Sequence, residues 1–387
     1  MGNLKNLFYS SFFSGIVSGA LGVIMPVYLS EVFGTSLTSM GFVFSAYALL
    51  FALLQVPSSY LGDRFRRKTL LVISSLLDGA MLVVYALGSR VSHFFLGKGV
   101  EGVATALSRS PSDALLINLS EKHRFSESFG NLVGYFSVGY VLGFLIAGPL
   151  AGMLGFRKAI LSLLLFQLVS LAFILLIRIK ERTQAIKFNL KKFFHKPHRN
   201  LKILALTGML ITFVEYMDYT VTVIYVKEVY NASLTQIGVF MGASWLAYGI
   251  VQIFFGRFSD RRGRKGLYLF GAFVAGVSAL LMPSMPSLLL GTACFALLAV
   301  GHGIAFPAVR GMTASFASKE YMSQDFGMVT AFEELGAVFG FPIMGWIADN
   351  LGYSMAFYLR GTVILVVAVV VVVLIKEKKK EAWPTPE

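Results

Sequence analysis

An all-α membrane protein, with twelve transmembrane helices in two six-helix bundles related as parallel repeats, is the fold class that this sequence predicts. Three observations carry the expectation. The 387 residues are 56% hydrophobic and only 14% charged, where about 25% charged is usual for a soluble domain, so the chain lacks the polar surface to wrap a soluble core. Apolar stretches of about 20 residues, the length that crosses a bilayer, recur about twelve times between short polar breaks. The two halves of the chain also match each other at one constant offset.

The spans read as 7–30, 39–61, 69–88, 91–117, 127–152, 157–177, 201–226, 235–256, 266–283, 286–309, 324–348 and 353–375. Their apolar runs are too long and continuous for a β-barrel, and the 35 Phe suit lipid-facing walls. The first span lacks a small-x-small cleavage site and is read as a helix rather than a signal peptide. Basic residues stay on the cytoplasmic side. With the N-terminus inside, 28 of the 34 Lys and Arg fall on cytoplasmic segments and only Lys98 and Arg360 within spans. Both termini are therefore expected in the cytoplasm, in a multi-pass protein of the plasma membrane surrounded by lipid. The net charge of +14 thus reports topology, and no nucleic-acid recognition module accompanies it.

The domains read as an N-terminal bundle, 1–177, a cytoplasmic linker, 178–200, a C-terminal bundle, 201–376, and a tail, 377–387. The linker, with Lys187, Phe188, Leu190, Lys191, Lys192, Phe193 and Phe194, reads either as an amphipathic helix on the membrane or as a basic tether.

Residue by residue, the repeat runs at an offset of 197. Glu31, Ser36, Leu37, Thr38 and Gly41 return as Glu228, Ser233, Leu234, Thr235 and Gly238. Gln55 returns as Gln252, and Asp63-Arg64-Phe65-Arg66-Arg67-Lys68 returns as Asp260-Arg261-Arg262-Gly263-Arg264-Lys265. Gly139, Gly143, Gly148 and Gly155 return as Gly336, Gly340, Gly345 and Gly352. An even number of helices separates the copies, so both halves share one membrane orientation.

The segment from Gly256 through Asp260, Arg261, Gly263 and Arg264 to Lys265 resembles the loop signature of the major facilitator superfamily (MFS), and residues 63–68 resemble its first copy, with Ser59 and Arg66 where the signature has glycines. The resemblance covers essentially the whole chain. It implies the MFS fold and a secondary active transporter that works by alternating access. It also implies that this loop latches one conformation, with Asp63, Arg64, Arg67, Lys68, Asp260, Arg261, Arg264 and Lys265 as its charged members and Asp113 as a partner on helix 4. Helices 1, 4, 7 and 10 are implied to line a central cavity.

Six carboxylates fall well inside the spans, namely Asp78, Glu101, Glu215, Asp218, Glu333 and Glu334. Each costs about 2.5–3.5 kcal/mol at a helix centre, so each is expected to face a cavity or a partner, or to be protonated. Glu215, Asp218, Tyr219 and Thr222 fall on one face of a continuous helix 7, and the two acids so placed disfavour each other's ionisation. Lys98 and Glu101, three apart on helix 4, are candidates for a proton switch or a static pair. The segment from Lys98 to Ala104 resembles the helix 4 motif that the family associates with proton coupling, with lysine for its arginine. His302 is read as a hydrogen-bonder or a proton acceptor. Glu333 and Glu334, about 100° apart on helix 11, are expected to face the cavity and Arg360 respectively, in one order or the other. Asp78 is read as structural.

No phosphate-cradling loop, metal-ligand spacing or catalytic triad pattern appears, and Cys294 is the single cysteine. No enzyme, cofactor or metal is expected. The expected partners are a small-molecule substrate and protons, or sodium in their place, with the protein a monomer. The interior acids, with Tyr9, Tyr135, Tyr140, Tyr216, Tyr219, Trp245 and Tyr248 as aromatic contacts, lean toward proton-coupled export of amphipathic or cationic compounds. Proton-coupled uptake of a sugar or other organic solute is the alternative, and a non-transporting receptor a remote third.

Overall fold

In hydrocarbon every backbone donor and acceptor needs a partner within its own segment, and the chain answers with helices. The computed structural model describes residues 2–120, 125–179, 197–262, 264–318 and 322–375, among which no strand occurs. The greater part of the linker, and the tail, lie outside the described residues. So do the side chains of Asp63, Arg64, Asp260 and Arg261.

The helices are α1 Gly2–Phe33, α2 Leu37–Arg64, α3 Arg67–Leu87 and α4 Val91–Leu119. A stretch from Phe125 to Leu176 follows, which Gly155, at φ 73°, divides into α5 (125–154) and α6 (156–176). Helix α7 is broken into Arg199–Glu215, a 3-10 turn Tyr216–Tyr219, and Val221–Val229. Then come α8 Leu234–Arg262, α9 Arg264–Leu281, α10 Leu288–Phe316, α11 Met322–Leu351 and α12 Tyr353–Leu374. Among the described residues, ten stretches are long and apolar enough to span a membrane, one of them being α5 and α6 together. The remaining helix, α4, carries Lys98, Glu101, Arg109 and Asp113.

The repeat reaches the backbone. Gly155 and Gly352 adopt φ 73° and 86°, and Gly34 and Asn231 adopt 58° and 49°, both pairs 197 apart. The basic residues of the duplicated loop match too. Arg67 donates to the Ala114 carbonyl and Arg264 to that of Gly311, at 3.2 and 2.6 Å. Lys68 donates to the Leu175 carbonyl and Lys265 to that of Val372, at 2.7 and 3.1 Å. These cations cap the carbonyl ends of helices in their own bundle, where the helix dipole favours them. Arg67 thus reaches a backbone carbonyl beside Asp113 and not the carboxylate expected for it.

Within each bundle, glycines let helices touch backbone to backbone. Gly139 and Gly143 of α5 lie against the carbonyls of Phe12 and Ile16 of α1, and Gly336 and Gly340 of α11 lie against those of Met209 and Phe213 of α7. Between bundles, α2 packs on α11 and α5 on α8. Here Gly41 meets the Phe341 backbone, Gly238 that of Phe144, Gly345 that of Leu37 and Gly148 that of Thr235. All of these contacts sit toward the end of the molecule away from the basic loops, hereafter the far end.

Charge reinforces the closure there. Asp349 of α11 accepts from the Leu37 and Thr38 amides at 3.0 and 2.8 Å and from the Thr38 hydroxyl at 2.6 Å, so a carboxylate of one bundle caps a helix of the other. Lys227 pairs with Glu31 at 2.7 Å across the same end. Loss of a helix cap costs about 0.5–2 kcal/mol, so Asp349→Ala is expected to shift the population away from the form closed at the far end by roughly fivefold. The check is a buried interface cysteine, Leu37→Cys, in a Cys294→Ser background. Its labelling by a membrane-impermeant thiol reagent should quicken severalfold, and an unchanged rate would show that Asp349 does not hold this end.

Candidate functional site

The break in α7 sets the site. Neither glycine nor proline occurs between Glu215 and Thr220, yet the backbone tightens into a 3-10 turn at Tyr216–Tyr219, a departure often found at functional hinges. The break turns Glu215 and Asp218 to different partners. Glu215 Oε1 pairs with His302 Nδ1 on α10 at 2.9 Å. Asp218 is held by both terminal nitrogens of Arg360 on α12, one of them at 2.8 Å, and accepts from the Thr222 hydroxyl at 2.9 Å. The two acids therefore do not form the mutually repelling pair that a continuous helix implies. Arg360 is fully buried, and a bidentate contact with a carboxylate is the geometry that suits a guanidinium out of water.

Helix α11 supplies the next pair. The close approach of Gly336 and Gly340 to α7 brings the Glu333 carbonyl to the Thr212 hydroxyl. The Glu333 carboxylate meets Arg310 Nη2 of α10 at 2.8 Å. Neither Glu333 nor Glu334 reaches Arg360, contrary to the sequence reading. Arg310, assigned from its sequence position to a cytoplasmic segment, lies inside because α10 continues to Phe316, beyond the apolar window that ended at 309. Glu334 is 6% exposed, and its contact is the Tyr216 hydroxyl at 3.4 and 3.5 Å, long for an O–H donor.

These groups surround a cavity of about 450 Å³. Its walls include Glu215, Asp218, His302, Arg310, Glu333 and Glu334, with Tyr216, Tyr219, Trp245, Tyr248, Phe295 and Phe306 as aromatic lining. From the N-terminal bundle its lining holds Arg109 of α4, an exposed side chain over the Phe51 ring. This cavity thus lies within the C-terminal bundle and against its partner, rather than equally among helices 1, 4, 7 and 10. Three acid–base pairs run along it from the basic end inward, Glu333 with Arg310, Glu215 with His302 and Asp218 with Arg360. The expected surplus of acid shrinks accordingly, and Glu334 is the carboxylate left over.

Other candidates fall elsewhere. Lys98 and Glu101 pair at 2.8 Å, Tyr85 donates to Glu101 at 3.0 Å, and the Lys98 ammonium lies 4.4 Å from the Phe44 ring. That cluster is inside the N-terminal bundle and not among the cavity's lining residues. Tyr135 stacks on Phe8 and meets Tyr9 edge-on, also away from this cavity. Tyr140 crosses between bundles to Trp245, ring centres 4.7 Å apart, behind the aromatic lining. Thr222 is buried against Asp218. The roles of Arg109 and Asp349 were missed in the sequence, and only the spacing of Arg109 and Arg310, each seven residues after a glycine, hinted at shared positions on α4 and α10.

Helices in two repeated bundles around a charged and aromatic cavity define a multi-pass membrane transporter. Comparison with known proteins agrees: the model of the Major Facilitator Superfamily matches residues 7–214 and again 204–387, and the chain belongs to that family. Multidrug resistance protein 2 of Bacillus subtilis is 25% identical over 381 residues, spanning 94% of this chain and 92% of its own length. An uncharacterized MFS-type transporter of Methanocaldococcus jannaschii is 23% identical over 366 residues, 92% of this chain and 94% of its own. Among solved structures, the nucleoside transporter NupG superposes with a TM-score of 0.83 at 13% identity, over 97% of this chain and all of that one (100%); at that identity the likeness speaks for the fold.

Proposed function

We propose that this protein is a proton-coupled exporter of amphipathic, chiefly cationic, small molecules that works by alternating access. The observation that carries the reading is the cavity, where aromatic rings flank acid–base pairs and, among the described residues, the Glu215–His302 pair is the one whose base is a histidine and not an arginine. Arg310 and Arg360 keep their charge at any pH, so neither can give up a proton. Histidine is the side chain type that ordinarily takes up and releases a proton near neutral pH, which makes the Glu215–His302 pair the coupling candidate. The multidrug resistance relatives support a drug-like cargo.

The basic loops support a plasma-membrane topology with both termini in the cytoplasm. On that topology the far end is external and this conformation is read as the inward-facing form. Asp63, Arg64, Asp260 and Arg261 remain the proposed latch for the opposite form, since Arg67, Lys68, Arg264 and Lys265 anchor their own bundles.

The test is the full chain in vesicles with an imposed pH gradient, with tetraphenylphosphonium, a sugar panel and organic anions offered in turn. Proton flux should require the cation, persist without sodium and fall at least about tenfold in Glu215→Gln, the loss of a general proton carrier being worth that or more. Flux coupled only to sugars, anions or sodium would overturn the proposal.

A further inference from the structure

Two opposite charges face the same cavity from different bundles, without an ion-pair partner among the described residues. Glu334 of α11 is buried, and among the described residues no cation lies within ion-pair distance of it, whereas each of its three neighbouring acids has one. Arg109 of α4 lines the cavity from the N-terminal bundle, and among the described residues no carboxylate lies within ion-pair distance of it, with Asp113 one turn along the same helix. Arg109 and Glu334 line the same cavity from different bundles, together with Glu333 and Arg310, already engaged with each other, and Tyr216, whose hydroxyl meets Glu334. A buried carboxylate without a counter-ion is costly, and a structure that leaves one beside an aromatic wall has room for a cation to complete it.

We propose that Glu334 is the group that receives the positive charge of an organic cation, and that Arg109 takes the cation's place on it when the cavity is empty and the basic end closes. The inference rests on the transport reading above and assigns the cargo's charge and its competitor to named residues. Closure brings α4 and α11 together at this depth, about 15–18 Å from the basic end of each helix. Cargo and Arg109 are then mutually exclusive ligands of one carboxylate, so the empty carrier closes through an internal ion pair and the loaded one through its cargo.

Equilibrium binding of tritiated tetraphenylphosphonium to the full-length protein in lipid nanodiscs, with no gradient, tests this. Glu334→Gln should weaken binding at least about tenfold, the loss of one charge-assisted contact, and Glu334→Asp should retain most of it. Arg109→Gln, at an exposed position where folding is not at stake, should tighten binding about three- to tenfold and should have no effect on the Glu334→Gln background. Binding unchanged in Glu334→Gln, weakened in Arg109→Gln, additive in the pair, or absent in the unaltered protein would overturn the proposal. Binding that behaves as expected in a protein that moves no protons would refute the transport reading alone; cation-driven proton flux with normal binding in Glu334→Gln would refute this inference alone.

Discussion

Arg360→Met is expected to destabilise the protein by about 3–5 kcal/mol, because removing one member of a buried pair strands the other charge. Arg360 is the largest of the fully buried side chains, grips Asp218 with two nitrogens and lies 5.9 Å from the Phe295 ring. Asp218 in turn holds the Thr222 hydroxyl at the start of the second segment of α7. The stranded carboxylate would sit beside the 3-10 turn, the segment of α7 with the weakest backbone ladder. The double variant Arg360→Met/Asp218→Leu should recover most of the loss, since an apolar replacement of the whole pair removes the desolvation cost on both sides. Thermal unfolding of the purified protein in detergent reads both outcomes. A single variant with an unchanged midpoint would show that the pair does not anchor α12 to α7.

The second large effect is expected at the inter-bundle glycines. A Cβ on Gly345 would overlap the Leu37 backbone, and one on Gly238 the Phe144 carbonyl. Backbone cannot give way as a flexible side chain can, and overpacking costs about 1–3 kcal/mol or more. Gly345→Leu should therefore hold the far end open, raising the reactivity of Leu37→Cys toward an impermeant thiol reagent by about 5–150-fold and stopping turnover. Gly139→Leu supplies the contrast. Gly139 abuts the Phe12 carbonyl inside the N-terminal bundle, so that change should lower the unfolding temperature without selectively exposing residue 37. Equal effects of both variants on labelling and on stability would mean that the bundles do not separate along α2 and α11.

The spans and the repeat were legible in the sequence because both are one-dimensional properties. Hydropathy needs only a window, and the offset of 197 needs only a comparison of the chain with itself. Matching positive φ angles at Gly155 and Gly352 show how far the repeat extends, and the pair Gly34 and Asn231 extends it where residue identity differs. Pairing of charges between helices was not legible, whereas the Lys98–Glu101 pair, three apart on one helix, was. Glu215, Asp218, Glu333 and Glu334 could be placed on faces of helices by periodicity, but which face meets which neighbour depends on helix rotation and on the break in α7, and no glycine or proline marks that break. Arg310 was misplaced because an apolar window stops at the first charge while the helix, its backbone satisfied internally, continues to Phe316.

In the proposed cycle the two bundles rock about this cavity, so that one end closes as the other opens. Spin-label distances measured across the bundle interface at both ends, in nanodiscs with and without tetraphenylphosphonium and at two pH values, test it most directly. One pair of labels would flank the Glu31–Lys227 contact and the other the basic ends of α4 and α11. Alternating access predicts two populations in which a longer far-end distance always accompanies a shorter basic-end distance, with cargo and pH shifting their ratio. A single invariant distance at either end, or both ends widening together, would contradict it.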